Sequence, residues 1–168
     1  EHAAFFAAYL PLMRADLVTG GVEVIDGVHD ALAWLAARSD VVLGVATGNV
    51  RGGAEAKLAA AGLDGPFVLG GYGCDSHLRA ELVAVAIARG RQRAHVHEVV
   101  VIGDTVHDIS AARACGAIAC AVTTGSDAPE ALGHADVVFG SLRELPAWHA
   151  ARFGEVTAAG APTAPAHR

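Results

Sequence analysis

Val99-Val100-Val101-Ile102-Gly103-Asp104-Thr105-Val106-His107-Asp108-Ile109-Ser110-Ala111-Ala112-Arg113-Ala114-Cys115-Gly116 is the stretch whose reading decides the fold. A run of β-branched residues ends at Gly103. Asp104 and Asp108 follow, and a helix-like segment closes at Gly116. That order predicts a buried strand, a tight loop carrying two carboxylates, and a helix with a glycine stop. Ligands of open α/β sheets bind at the carboxyl ends of strands. Two acids there, with no adjacent lysine, suit a hard divalent cation such as Mg2+.

Outward from this stretch, strands and helices alternate. Val41–Ala46 is a continuous apolar run of the kind buried on both faces in parallel sheets, and it ends in Thr47-Gly48-Asn49. Phe67–Leu69 and Val137–Phe139 are shorter apolar runs, and Ala117–Val122 is a longer one that leads into Thr123–Ser126. Helices are predicted over Gly27–Arg38 with Asp26 as N-cap, over Ala54–Ala61 stopped by Gly62, over Arg79–Arg89, and near 107–115. A short helix is expected over Asp127–Leu132, and Ser141 is placed to cap Leu142–Leu145. Residues 1–18 have broadly helical apolar spacing interrupted by Pro11. The pattern is that of an α/β protein with a mainly parallel sheet and right-handed crossovers. Its polar strand ends, Thr47, Asp104 with Asp108, and Thr123–Ser126, then lie on one edge and converge on one cleft.

Composition narrows the function classes. The chain has 168 residues, is 53% hydrophobic and carries a net charge of −6, so one domain with a substantial core is expected. Arg89, Arg91 and Arg93 form the one basic cluster, too narrow for a nucleic-acid face. Cys74, Cys115 and Cys120 have no framework spacing, which fits reduced thiols and a cytoplasmic location. No apolar run reaches membrane-spanning length and no signal peptide is visible, so no membrane partner is expected. From about residue 154 the chain is Ala, Pro, Gly and Thr with little to bury, and a disordered tail is expected over 151–168.

Gly103-Asp104-Thr105-Val106-His107-Asp108-Ile109, with Ala111-Ala112 and Gly116 behind it, resembles the fourth motif of the haloacid dehalogenase (HAD) superfamily, nearest its phosphoglycolate-phosphatase-like branch. Val45-Ala46-Thr47-Gly48-Asn49 resembles the second motif, and the resemblance covers about residues 20–148. It implies a HAD-like Rossmannoid three-layer sandwich and a Mg2+-dependent hydrolase of small phosphomonoesters acting through an aspartyl-phosphate. By that resemblance Asp104 is a metal carboxylate, and Asp108 contacts the metal through water or orients the loop. Thr47 hydrogen-bonds a phosphoryl oxygen, with the Gly48 and Asn49 N–H groups as further donors. Arg79 stands where the family places its basic residue, normally a lysine, with Lys57 as the rival.

The residue types allow simpler roles too. Asp104 and Asp108 suit a helix cap and a first-turn acid, Thr47 a strand-end turn, and Arg79 a surface position. His107 is a loop histidine between the two acids. His95 and His97 lack a third ligand for zinc, and the cysteines read as bystanders.

The family's first motif, a strand ending in Asp-x-Asp that supplies the nucleophile, does not occur in these residues. The resemblance makes residues 1–19 a remnant of a helical cap and 20–150 the core, with the central strand lacking. It therefore implies two unpaired strand edges and a gap in the core. On this reading the chain by itself releases no phosphate. The alternative is a catalytically inactive HAD-like domain used for binding or scaffolding. A receiver-like or nucleotide-binding module lacks its glycine fingerprints. The small phosphorylated substrate stays open, with phosphoglycolate the default, and the oligomeric state is unreadable.

Overall fold

A computed structural model describes residues 2–125 and 127–154. In chain order the elements are α1 (His2–Gly20), α2 (Val28–Ala36), β1 (Gly44–Thr47), α3 (Arg51–Ala60), β2 (Leu69–Tyr72) and α4 (Arg79–Arg91). They continue with β3 (Val100–Gly103), α5 (Val106–Ala114), β4 (Ile118–Val122), β5 (Val137–Phe139) and α6 (Leu145–Phe153). The strands form two parallel sheets: β1 beside β2, with Gly44 opposite Leu69, and β3-β4-β5, with Val100 opposite Ile118 and Cys120 opposite Val137.

The three-stranded sheet is the middle of a helix–sheet–helix sandwich, and its period-two alternation shows this. Val99, Val101, Ala119 and Ala121 pack with Ile109 and Ala112 of α5 and with Leu132. Val100, Ile118 and Cys120 pack on the opposite face with Ala31 and Leu35 of α2 and Leu145 and Trp148 of α6. Both faces are apolar because both are covered. Alanines on β4 face alanines on α5, so the helix lies close to the sheet; Ala112 and Ala121 are wholly buried.

The β1–β2 pair is held by α4, which packs on both strands and also on α5. The pair is joined to the larger sheet through these helices, with no strand pairing between β1 and β3 among the described residues. A cavity of about 210 Å3 lies between them. The gap implied by the resemblance is thus present.

Several boundaries differ from the sequence reading. The strand expected over Phe67–Leu69 is found at Leu69–Tyr72, so Gly70 and Gly71 are strand residues. The reason is contact: a Cβ on Gly71 would overlap the Leu82 carbonyl of α4, so glycine lets helix and strand meet at backbone distance. The strand expected over Val41–Ala46 is assigned at Gly44–Thr47, and Leu43 still accepts the Val68 N–H at 3.2 Å. Gly27, not Asp26, is the N-cap of α2; Asp26 instead takes two hydrogen bonds from Arg143. The helix expected over Asp127–Leu132 is a single 3-10 turn at Ala131–His134, because Asp127 turns back to accept the Val106 N–H at 2.9 Å. Pro11 lies inside α1 without ending it. Ser141 does cap the turn Leu142–Glu144, in a capping box with Glu144. Helix α6 continues to Phe153, past the expected start of the tail at 151. The rest of that tail, 155–168, lies outside the described residues, as does Ser126.

Candidate active site

The loop after β3 is organised by Asp108. Its Oδ2 accepts the N–H groups of Asp104 and Thr105, both at 3.2 Å, and the Thr105 hydroxyl at 2.8 Å. Thr105 Oγ1 accepts the Asp108 N–H at 3.3 Å, which completes a capping box at the start of α5. Oδ1 takes Nε and Nη2 of Arg79 at 2.8 and 2.6 Å. Asp108 is buried and its two oxygens together accept five hydrogen bonds, so its carboxylate holds the loop in shape. Gly103 is required beside it, because a Cβ there would overlap this carboxylate.

Asp104 is held differently. Its N–H is bound to Asp108, and its side chain is half-buried at the carboxyl end of β3, against Gly125 of the loop after β4. A Cβ on Gly125 would overlap it. Asp104 thus presents a half-buried carboxylate on a preformed loop at the strand end.

Arg79 is the first residue of α4, and Asp108 lies in the first turn of α5. Their ion pair ties the carboxyl edge of the β1–β2 sheet to that of the larger sheet, so all strand ends open on the same side. Nη1 of Arg79 has no acceptor among the described residues, and the side chain is 37% exposed and lines the cavity between the sheets. The expected rival, Lys57, is exposed near the far end of α3.

At the end of β1 the hydroxyl of Thr47 accepts the Asn49 N–H at 3.1 Å. This is a strand-end turn, and it occupies one of the two N–H groups expected to face a phosphate. The Thr47 proton and the Gly48 N–H keep their donor capacity. The turn is pressed against the loop after β2: Asn49 O accepts the Gly73 N–H at 2.8 Å. Asp75 caps that second loop by accepting the Tyr72 N–H and both terminal nitrogens of Arg89. The Arg89 hydrogen bonds hold the Asp75 carboxyl down at about 2.

Arg79, Asp104, Thr105 and Asp108 are therefore joined in one network, whereas Thr47, Gly48 and Asn49 reach the same edge on a separate turn. Thr105, Asp127 and Gly125 were not singled out in the sequence. Thr105 carried a signal, since Thr at N-cap with Asp three residues on is a capping box; the other two act across loops. His107 is exposed. His95 and His97 stack edge-to-face with centroids 4.6 Å apart. No group of three or more His, Cys, Asp or Glu suited to a metal occurs among the described residues. All three cysteines are free; burial pushes the Cys120 thiol up to about 12. No helix among the described residues is long and apolar enough to cross a membrane.

Comparison with known proteins agrees with this geometry. Residues 76–145 match a family model of hydrolases described as HAD-hyrolase-like. CbbY from Rhodobacter sphaeroides, solved with phosphate, is 21% identical with a TM-score of 0.70, over 85% of this chain and 65% of that one. A HAD phosphatase from Thermococcus onnurineus is 21% identical with a TM-score of 0.65, over 91% and 71%. A haloacid dehalogenase-like hydrolase from Streptococcus pneumoniae is 20% identical with a TM-score of 0.65, over 75% and 60%. Among curated proteins none matches the sequence. The chain spans 60 to 65% of the length of the Streptococcus and Rhodobacter proteins. The class is therefore a HAD-like α/β fold, with the sequence pattern of HAD-like hydrolases on the segment that carries Arg79, Asp104 and Asp108.

Proposed function

We propose that the chain carries the metal-binding and phosphate-stabilising part of a Mg2+-dependent phosphomonoester hydrolase acting through an aspartyl-phosphate. The nucleophile comes from outside these 168 residues, which contain no Asp-x-Asp. The observation that carries this reading is the Arg79–Asp108–Asp104 network at the carboxyl edge of the strands. The phosphate in the CbbY structure supports a phosphoryl ligand.

Asp104 would hold the ion, with water and phosphate completing its shell; Mg2+ there would offset charge on the phosphoryl oxygens. Asp108 fixes the backbone that aims Asp104 and pins Arg79 through two of its nitrogens. Nη1 of Arg79 is left to donate to a phosphoryl oxygen. The Thr47 hydroxyl and the Gly48 N–H supply neutral donors at the facing strand end. The substrate is a small phosphorylated metabolite, with phosphoglycolate the first to test. Helix α1, packed on α3, is the part of a cap retained here, and the location is cytoplasmic.

The test has two parts. The 168-residue chain releases no phosphate from p-nitrophenyl phosphate with Mg2+; turnover that Asp104→Ala abolishes would show that the nucleophile lies within it. Joined to the polypeptide encoded immediately upstream, the chain hydrolyses small phosphomonoesters, and Asp104→Asn lowers kcat about a hundredfold or more. No hydrolysis by the joined protein would favour the inactive binding domain.

A further inference from the structure

We propose that the seam where α6 docks on α2 is an acid-operated latch, closed by the neutral imidazole of His149 and opened locally when that ring is protonated. The proposal does not depend on phosphatase chemistry. Helices α2 and α6 together cover one face of the three-stranded sheet. Their seam has two fastenings. Near the start of both helices Arg143 binds Asp26 and Asp30, but all three side chains are more than half exposed, so this fastening is weak. The second is buried. His149 of α6 is 8% exposed, edge-to-face with Trp34 of α2 at 5.2 Å between centroids and tilted against Phe153 at 4.8 Å. The Arg38 guanidinium lies over the same Trp34 ring at 4.8 Å, and its Nη2 pairs with Asp40 at 2.8 Å. One indole therefore holds both the imidazole and a permanent cation. Nδ1 of His149 and Nε of Arg38 are both buried without a hydrogen-bond partner among the described residues.

A neutral ring suits this place and a charged one does not. After α2 come Arg38, which opposes a second proton, and Asp40, which favours it but is taken by Arg38. On α2 itself Asp30 is bound to Arg143, and His29 lies against Gly62. The turn before α6 brings Glu144, which accepts the Gly140 and Ser141 N–H groups, and α6 brings Arg152, paired with Glu98. The sheet face beneath carries Cys120, a neutral thiol, among apolar chains. No free carboxylate among these groups offsets a buried imidazolium beside Arg38. Undocking gives the ring water and its ordinary affinity for a proton. Below pH about 6.5 the open form therefore binds a proton that the docked form resists, and acid shifts the seam toward opening. Opening also lets Nδ1 and the Arg38 Nε reach water. It stays local, because Ile109 and Ala112 of α5 pack with Leu132 on the opposite face of the sheet. What acid uncovers is the apolar surface of Trp34, Phe139, Leu145 and Trp148.

Amide hydrogen exchange of the 168-residue chain at pH 7 and pH 5, corrected for intrinsic chemical exchange, tests this. Amides of α6 should exchange at least about threefold faster at pH 5, while those of β4 change less than about twofold. His149→Phe keeps a ring against Trp34 and removes the titrating group, so its α6 amides should exchange alike at both pH values. Arg38→Met keeps an aliphatic chain over Trp34 and removes the opposing cation, so the acid effect should shrink. In a nuclear magnetic resonance titration the His149 ring should titrate below the ordinary histidine value, and move toward it in Arg38→Met. An acid effect on α6 that persists in His149→Phe would overturn the proposal. Should that variant not fold, an undiminished acid effect in Arg38→Met would overturn it instead. Equal acceleration of β4 and α6 would also overturn it, since the whole sheet would then be opening. So would α6 amides already unprotected at pH 7, since no latch would then be closed.

Discussion

The two sheets solve the same packing problem unequally. The β3-β4-β5 sheet is covered on both faces, with wholly buried Ala121 packed against wholly buried Ala112 and Leu132. The β1–β2 pair rests on α4, is glycine-rich along β2, and shares a cavity with the edge of β3. Burial of apolar surface is the main stabilising term in folding. Stability therefore resides in the larger sheet, together with the Asp104 loop. The smaller sheet brings Thr47 and, through α4, Arg79. A rigid half thus presents the acids, and a less buried half presents groups suited to an anion, with the Arg79–Asp108 bond as the hinge of their registration.

The sharpest way to break this comparison is to truncate one apolar side chain in each half. Leu132→Ala should cost about 3 kcal/mol in urea unfolding, in the range for fully buried leucine. Val45→Ala, at the cavity wall, should cost less than about 1 kcal/mol, since the side chain is only half-buried. Equal costs would show that the two sheets unfold as equals. Amide exchange should separate them in the same order, with β4 protected longest.

A smaller effect distinguishes the two acids. Asp108→Asn loses charge-assisted hydrogen bonds at a buried site and should lower stability by about 2 kcal/mol. Asp104→Asn should leave stability within about 0.5 kcal/mol, because that side chain is half-buried. Magnesium binding followed by calorimetry should be lost in the second variant. Retention there, or a destabilised Asp104→Asn, would reverse the roles assigned to them.

The smallest effect concerns pH. Burial and then Arg38 push the His149 imidazole below its ordinary range, with Asp40 opposing them. The group contributes stability above the unfolded value near 6.5, and this is lost as pH falls below it, because the unfolded chain then binds the extra proton. His149→Phe should flatten the decline of Tm between pH 7 and 5. An unchanged slope would mean that other groups of the larger sheet set its acid sensitivity.

Local chemistry made much of this readable beforehand. The β-branched run into Gly103, the acids at 104 and 108 and the stop at Gly116 announced strand, loop and helix, because hydrophobic period and capping act within a few residues. The helix start at Arg79 was legible too, whereas its pairing with Asp108 was not. Other features were not local. Gly70-Gly71 read as loop, and only the approach of α4 makes them strand. Asp26 read as a cap, and only Arg143, far along the chain, draws it away. Asn49 read as a donor to phosphate, yet its N–H is taken by Thr47.

The roles of Asp108 and Gly125 depend on segments distant in sequence. Periodicity and propensity are properties of neighbouring residues, so the one-dimensional pattern identified the elements and the class. Which carboxylate is held and which is presented is set by contacts across long separations that no local pattern encodes.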